Sequence, residues 1–140
     1  MNKKNLNIKL ANLQLKNPVI TASGTFGFGT ELDDYLSVKS LGAVTLKGIT
    51  VEESKGNAVP RIAETPAGIL NSIGLENPGI KVFKEKIIPE IENLKVPIIA
   101  NISGYSIDEF VQLDLGLKEE ESINAIELND SCSNIKVGEM

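Results

Sequence analysis

The chain contains no histidine, no tryptophan and a single cysteine among its 140 residues. A lone cysteine cannot form an internal disulfide. Without histidine, neither a histidine-based triad nor the usual zinc ligand set can be assembled. Any proton transfer falls to Cys, Lys, Asp, Glu or Tyr. Aromatic residues make up 4%, too few for a base-stacking platform, and 14 Lys+Arg against 19 Asp+Glu give a net charge of -5; both argue against a nucleic-acid partner. The opening Met1-Asn-Lys-Lys-Asn-Leu-Asn-Ile8 is positive but has no apolar core. It is neither a secretory signal nor a membrane anchor, so a cytoplasmic protein without a membrane partner is expected.

What is present is a β/α rhythm. Pro18–Ala22, Ala43–Lys47, Pro97–Ile102 and Asn124–Leu128 are short, near-continuous apolar runs, the pattern of parallel strands covered on both faces. Helical patterns separate them. The first should open at Thr30, capping Asp33, and bury Leu32, Tyr35 and Leu36. The second should open at Asn77-Pro78, with the proline at its first position, and be kinked or restarted at Pro89. The third should follow a capping box, Ser106 with Glu109, and run to about Glu120. Ahead of all this, Leu6–Leu10 and Leu13–Leu15 alternate around Ala11-Asn12, as a hairpin plugging the bottom of a barrel would. The segment between the second strand and the second helix is expected to be a long loop. A dinucleotide fold fits less well, because Gly24-Thr-Phe-Gly-Phe-Gly29 lacks the G-x-G-x-x-G spacing and the second strand ends in Lys47, not an acidic residue.

Chemistry-bearing groups fall where strands give way to loops, the place where β/α proteins build active sites. Ala22-Ser-Gly-Thr-Phe-Gly-Phe-Gly29 could let backbone approach a flat cofactor. Lys47-Gly48 sets a fixed cation after the second strand. The third strand ends at Asn101, and the fourth delivers Asn129 and then Cys132. Taken singly, Lys47 is more often a solvated strand end, Asn71 a turn former and a free cysteine a small buried hydrophobe. Their convergence on strand ends, and the neutral polar neighbours Asn129, Ser131 and Asn134 around Cys132, suit a polar heterocycle better than a core.

Ala22-Ser-Gly-x-Phe-Gly-Phe-Gly29, Lys47-Gly-Ile-Thr50, Gly56-Asn-x-x-Pro-Arg61, Asn71-Ser-Ile-Gly-Leu-x-Asn-Pro-Gly79, Ile99-Ala-Asn-Ile102 and Glu127-Leu-Asn-x-Ser-Cys-x-Asn134 resemble dihydroorotate dehydrogenase, in that family's order over essentially the whole chain. The resemblance implies FMN-dependent oxidation of dihydroorotate to orotate, in pyrimidine biosynthesis, on a (β/α)8 barrel. Residues 1–140 would form the N-terminal half of that barrel, preceded by the hairpin and stopping after the fourth strand. The cysteine base resembles the soluble class 1 enzymes. Phe26-Gly-Phe-Gly29 and Glu64-Thr-Pro-Ala-Gly-Ile-Leu-Asn71 are similar to the subclass linked to NAD through a subunit carrying FAD and an iron-sulfur cluster, and a homo-oligomer is implied for the full-length form. Carried over by motif, Cys132 and Lys47 would be catalytic, with Cys132 removing the C5 proton. Ala22, Ser23, Lys47, Gly48, Asn101 and Asn129 would meet FMN. Lys47, Asn71, Ser72, Ile73, Gly74, Leu75, Asn129 and Asn134 would hold the substrate. No metal is implied.

Two departures fall in the last motif: Asp130 stands where the family has an aliphatic residue, and Ser133 where it has proline. An inward carboxylate at Asp130 would raise the thiol pKa, and losing the proline loosens the loop. Gly116 in the third helix is also unexpected, since a mid-helix glycine costs on the order of 1 kcal/mol. A barrel needs about 250 residues, with its phosphate site near the seventh and eighth strands, so the chain alone is expected to lack the phosphate cradle. Two other readings are a related FMN barrel acting on another dihydropyrimidine, and a non-catalytic half-barrel remnant.

Overall fold

The computed structural model describes residues 5–31 and 37–130. The expected first helix, at Leu32, Tyr35 and Leu36, lies outside the described residues. Strands β1 (Ile8–Leu10) and β2 (Leu13–Leu15) pair antiparallel, Ile8 opposite Leu15, and the turn between them puts Ala11 at φ +50°.

The central sheet is parallel. β3 (Val44–Thr45), β6 (Ile98–Ser103) and β7 (Ala125–Asn129) lie side by side in that order. The expected first strand, Pro18–Ala22, is present only as a parallel bridge from Ile20 to Ala43. Neighbours therefore follow chain order, as short right-handed β/α connections favour. β6 is buried at all six positions, whereas β7 exposes Glu127 and Leu128. The fourth strand was expected to be covered on both faces; it is instead the edge of the described sheet.

The segment expected to be a long loop holds a second hairpin, β4 (Ile62–Thr65) with β5 (Gly68–Asn71), antiparallel and exposed throughout. Its turn residues, Pro66-Ala67, are the visible signal; no apolar alternation marks the strands, because neither face is buried.

The second helical stretch runs as α1 (Gly79–Val82), a π-helical turn at Phe83–Ile87, and α2 (Ile88–Ile91). Pro78 is its cap and Gly79 its first residue, one position later than expected. The restart near Pro89 takes the form of the π turn, which hands over to α2 with the proline in its first turn; the helical backbone is continuous there, and the wider turn accommodates the missing N–H. The third helix, α3 (Ile107–Leu117), is capped as its sequence dictates: the Ser106 hydroxyl accepts from Glu109 N (3.3 Å) and the Glu109 carboxylate accepts from Tyr105 N (2.7 Å). It ends three residues short of Glu120. A Cβ at Gly116 would stand 2.6 Å from Ile80 Cδ1, the end of a side chain that can turn aside, and the Gly116 carbonyl accepts from Lys84 Nζ at 2.9 Å; nothing in the structure demands glycine there.

The main core lies between sheet and helices. Val44, Leu46, Ile49, Ile98, Ala100 and Ile102 pack against Phe83, Ile88, Ile91, Leu113 and Leu117. Each of these side chains except Ala100 contributes roughly 1.5–3 kcal/mol of burial. A smaller cluster on the other face joins Leu15 of β2 to Ala43 and Ile99, with Leu13, Ile20 and Ala125 against it.

Candidate active site

Strand alternation sorts side chains onto two faces. Ile98, Ala100 and Ile102 face the helices, so Ile99, Asn101 and Ser103 share the other face. On β7 the same face carries Ala125, Glu127 and Asn129, opposite Ile99, Asn101 and Ser103 respectively. This face is apolar where the β1–β2 hairpin covers the strand starts and polar toward the strand C-termini. Thr45, from β3, is tied to its neighbour: its N–H donates to Thr21 Oγ1 (2.9 Å), and that hydroxyl donates to the Thr45 carbonyl (3.3 Å).

At the polar end, Asn101 is 2% exposed. Its Nδ2 donates to Glu127 Oε1 at 2.5 Å, and its Oδ1 accepts from Asn129 Nδ2 at 3.4 Å. The Ser103 hydroxyl donates to the Asn129 carbonyl at 3.3 Å. Gly48 is required here, because a Cβ would stand 2.7 Å from Asn101 Oδ1 and 2.9 Å from Leu75 Cδ1. Lys47 is half-buried, and its N–H donates to the Gly27 carbonyl at 2.8 Å, which draws the glycine-rich loop against the end of β3. That loop is built around Glu31, whose carboxylate accepts from Phe28 N (2.8 and 3.0 Å) and Thr30 N (3.1 Å). Phe28 is tilted on Phe83 with ring centroids 5.9 Å apart. Ala22 closes a turn by accepting from Thr25 N and Oγ1; it is exposed, and Ser23 is half-buried.

The Asn71–Leu75 loop is braced from behind. Asn57 N donates to the Ile73 carbonyl (2.9 Å), and Asn57 Nδ2 donates to the Ser72 carbonyl and hydroxyl (3.0 Å each). Gly74 sits at φ +76° and Leu75 at φ +56°, and a Cβ on Gly74 would stand 2.6 Å from Asn57 Cγ. Arg61 pairs with Glu76 at 2.6 Å. Asn77, buried, accepts from Thr50 N, Thr50 Oγ1 and Gly79 N and donates to the Leu75 carbonyl (2.8 Å). It thereby ties the loop after Lys47 to the loop before α1.

Among the expected site residues, the fold brings Gly48, Leu75, Asn101 and Asn129 together, with Lys47 next in chain to Gly48. Asn71 and Ser72 are exposed at the end of the β4–β5 hairpin, and Ile73 is half-buried. Cys132 and Asn134 lie outside the described residues. Glu127, Thr21, Asn57 and Asn77 had not been expected as site residues. Glu127 was within reach of the sequence, since a period of two places it on the face of Asn129. Asp130 does not share that face: it lines an apolar groove of about 540 Å³ with Ile107, Phe110, Val111, Asp114 and Leu128.

Parallel strands in chain order, helices on one face, and the Asn101 and Asn129 amides gathered with Gly48 at the strand C-termini are the arrangement of a β/α protein of the enzyme type. The dihydroorotate dehydrogenase family model matches residues 5–140, and the chain belongs to that family. It is 48% identical over 136 residues to the dihydroorotate dehydrogenase B (NAD(+)) catalytic subunit of Thermoanaerobacter pseudethanolicus, covering 97% of this chain and 45% of that one. To the protein so named from Brachyspira hyodysenteriae it is 53% identical over 135 residues, covering 96% and 44%. The chain thus spans a little under half the length of these relatives. A crystal structure of the Eimeria tenella dihydroorotate dehydrogenase in complex with ferulenol matches with a TM-score of 0.71 at 21% identity, over 95% of this chain and 38% of that one. That likeness shows a shared fold.

Proposed function

We propose that the chain supplies the first four β/α units of an FMN-dependent dihydroorotate dehydrogenase barrel, with the β1–β2 hairpin closing its floor. The observation that carries this is the polar end of the inward face, where Gly48, Leu75, Asn101 and Asn129 meet beside Lys47, in a chain about half identical to NAD(+)-linked catalytic subunits.

The residues fit a flavin. Neutral amides at Asn101 and Asn129 match its heterocyclic edge, and Gly24 stands in open space, with no atom within 4 Å of where a Cβ would be. Ala22, Ser23, Lys47, Gly48, Asn101 and Asn129 would hold the ring. FMN, when bound, supplies the hydride acceptor. Cys132 takes the C5 proton of dihydroorotate, which a neighbouring carbonyl acidifies; a thiol with a reference pKa of about 8.5 serves when neighbours donate to the thiolate. Lys47 contributes fixed positive charge beside the ring. Asn71 to Leu75, Asn129 and Asn134 orient the substrate, and an amide left unpaired by a wrong ligand enforces selectivity. The phosphate end falls to residues beyond those described. The relatives are named NAD(+)-linked catalytic subunits, which supports the reading that electrons pass to NAD through a partner subunit; that this subunit carries FAD and an iron-sulfur cluster, on a homo-oligomeric core in the cytoplasm, is proposed from the motif resemblance alone.

The role of Cys132 is tested in a chimera that joins residues 1–140 to the remainder of the Brachyspira hyodysenteriae catalytic subunit. Cys132→Ala should abolish dihydroorotate oxidation while the flavin spectrum is retained, and Cys132→Ser should keep little activity at neutral pH. Near-normal turnover by the alanine variant would remove Cys132 from the mechanism.

A further inference from the structure

We infer that Glu127 is a positioning residue that fixes which atom Asn129 presents to a pyrimidine ligand, an inference that rests on the function proposed above. A carboxylate accepts hydrogen bonds and does not donate them, whereas an asparagine amide can turn either end outward. Glu127 Oε1 lies 2.5 Å from the Asn101 amide, so Asn101 must offer it Nδ2. That leaves Asn101 Oδ1 as acceptor for the Asn129 amide nitrogen at 3.4 Å. Asn129 gives one N–H to Asn101, which sets the flip of its amide and leaves the carbonyl oxygen, on the other side of that amide, as the atom proposed to meet the ligand. The chain of three therefore runs in one direction, from an acceptor-only anchor to an acceptor facing the site.

The surroundings hold the middle member in place. Asn101 is 2% exposed, and Gly48 abuts its Oδ1 so closely that a Cβ would stand 2.7 Å away. Glu127 and Asn101 are also direct partners in the strand register, so the contact is set by backbone pairing. Beside Glu127, toward the hairpin, the face opens into a cavity of about 420 Å³ lined by Leu10, Leu13, Ile99 and Ala125 among others. Among the described residues, none lining it is a cation that could compete for the carboxylate. The ligand class selected is one with a ring N–H directed at Asn129, and a ligand methylated at that nitrogen is rejected.

The experiment uses the flavin-loaded chimera and measures dissociation constants for orotate and for its two ring N-methyl derivatives by flavin absorbance. The unsubstituted chimera should bind orotate far more tightly than one of the two derivatives. In Glu127→Gln, whose amide can be donor or acceptor, that ratio should fall roughly tenfold or more, with flavin content unchanged. Glu127→Asp, which keeps an acceptor-only group, should retain most of it and guards against a folding defect in the glutamine variant. An unchanged ratio in Glu127→Gln, with orotate binding intact, overturns the role of Glu127 alone. No orotate binding by the unsubstituted chimera overturns both this inference and the function it rests on.

Discussion

Asn77 and Gly48 show how single residues hold the candidate site. Asn77→Ala leaves Thr50 N, Gly79 N and the Leu75 carbonyl without their present partner, at a cost on the order of 3 kcal/mol. Its melting temperature should drop accordingly in calorimetry. Asn77→Asp should be nearly as damaging, since a carboxylate cannot donate to the Leu75 carbonyl. Gly48→Ala is different in kind. The new methyl collides with Asn101 Oδ1 and Leu75 Cδ1, both at the proposed ligand face, so the variant of the chimera should fold and yet lose flavin affinity by about tenfold or more. Fluorescence titration checks this. Alternation turns Asp130 to the groove beside α3, away from Asn129; its relation to Cys132 lies outside the described residues.

Elements were legible in the sequence to the degree that they bury a patterned face. α3 was readable because Ser106 and Glu109 form a capping box and Leu113 and Leu117 reach the core. Ser106→Ala should therefore cost about 1 kcal/mol of stability, measurable by denaturant unfolding. β6 and β7 were readable as apolar runs. The β4–β5 hairpin was not, because both faces are exposed and its residues carry no burial pattern. The π turn at Phe83–Ile87 was invisible for a different reason: its fully buried Phe83 continues the apolar helical stripe, and only Pro89 hinted at an irregularity. In the candidate site, Lys47, Gly48, Asn101 and Asn129 were singled out because they fall at strand ends, and the fold brings Gly48, Asn101 and Asn129 together. Asn77 and Asn57 were missed as partners because their bonds cross 27 and 15 residues of sequence, a relation that no local pattern encodes.

At the scale of the molecule, the described sheet ends on β7, with Leu128 66% exposed, and the adjoining face of α3 shows Ile107, Val111 and Leu115. A parallel edge strand beside an apolar helix face invites association. The 140-residue chain on its own should elute as oligomers in size-exclusion chromatography with light scattering, and should bind FMN weakly, since contacts to the ring must offset the ordering of the loops at Ser23 and Asn71. Joined to the remainder of a relative's barrel, the same residues should behave otherwise. The most direct measurement is steady-state oxidation of dihydroorotate, against dihydrouracil, by the chimera of residues 1–140 with the rest of the Brachyspira hyodysenteriae catalytic subunit. The account predicts a yellow protein that turns over dihydroorotate and strongly prefers it. A folded, flavin-loaded chimera that is inactive on dihydroorotate, or that prefers dihydrouracil, would contradict it.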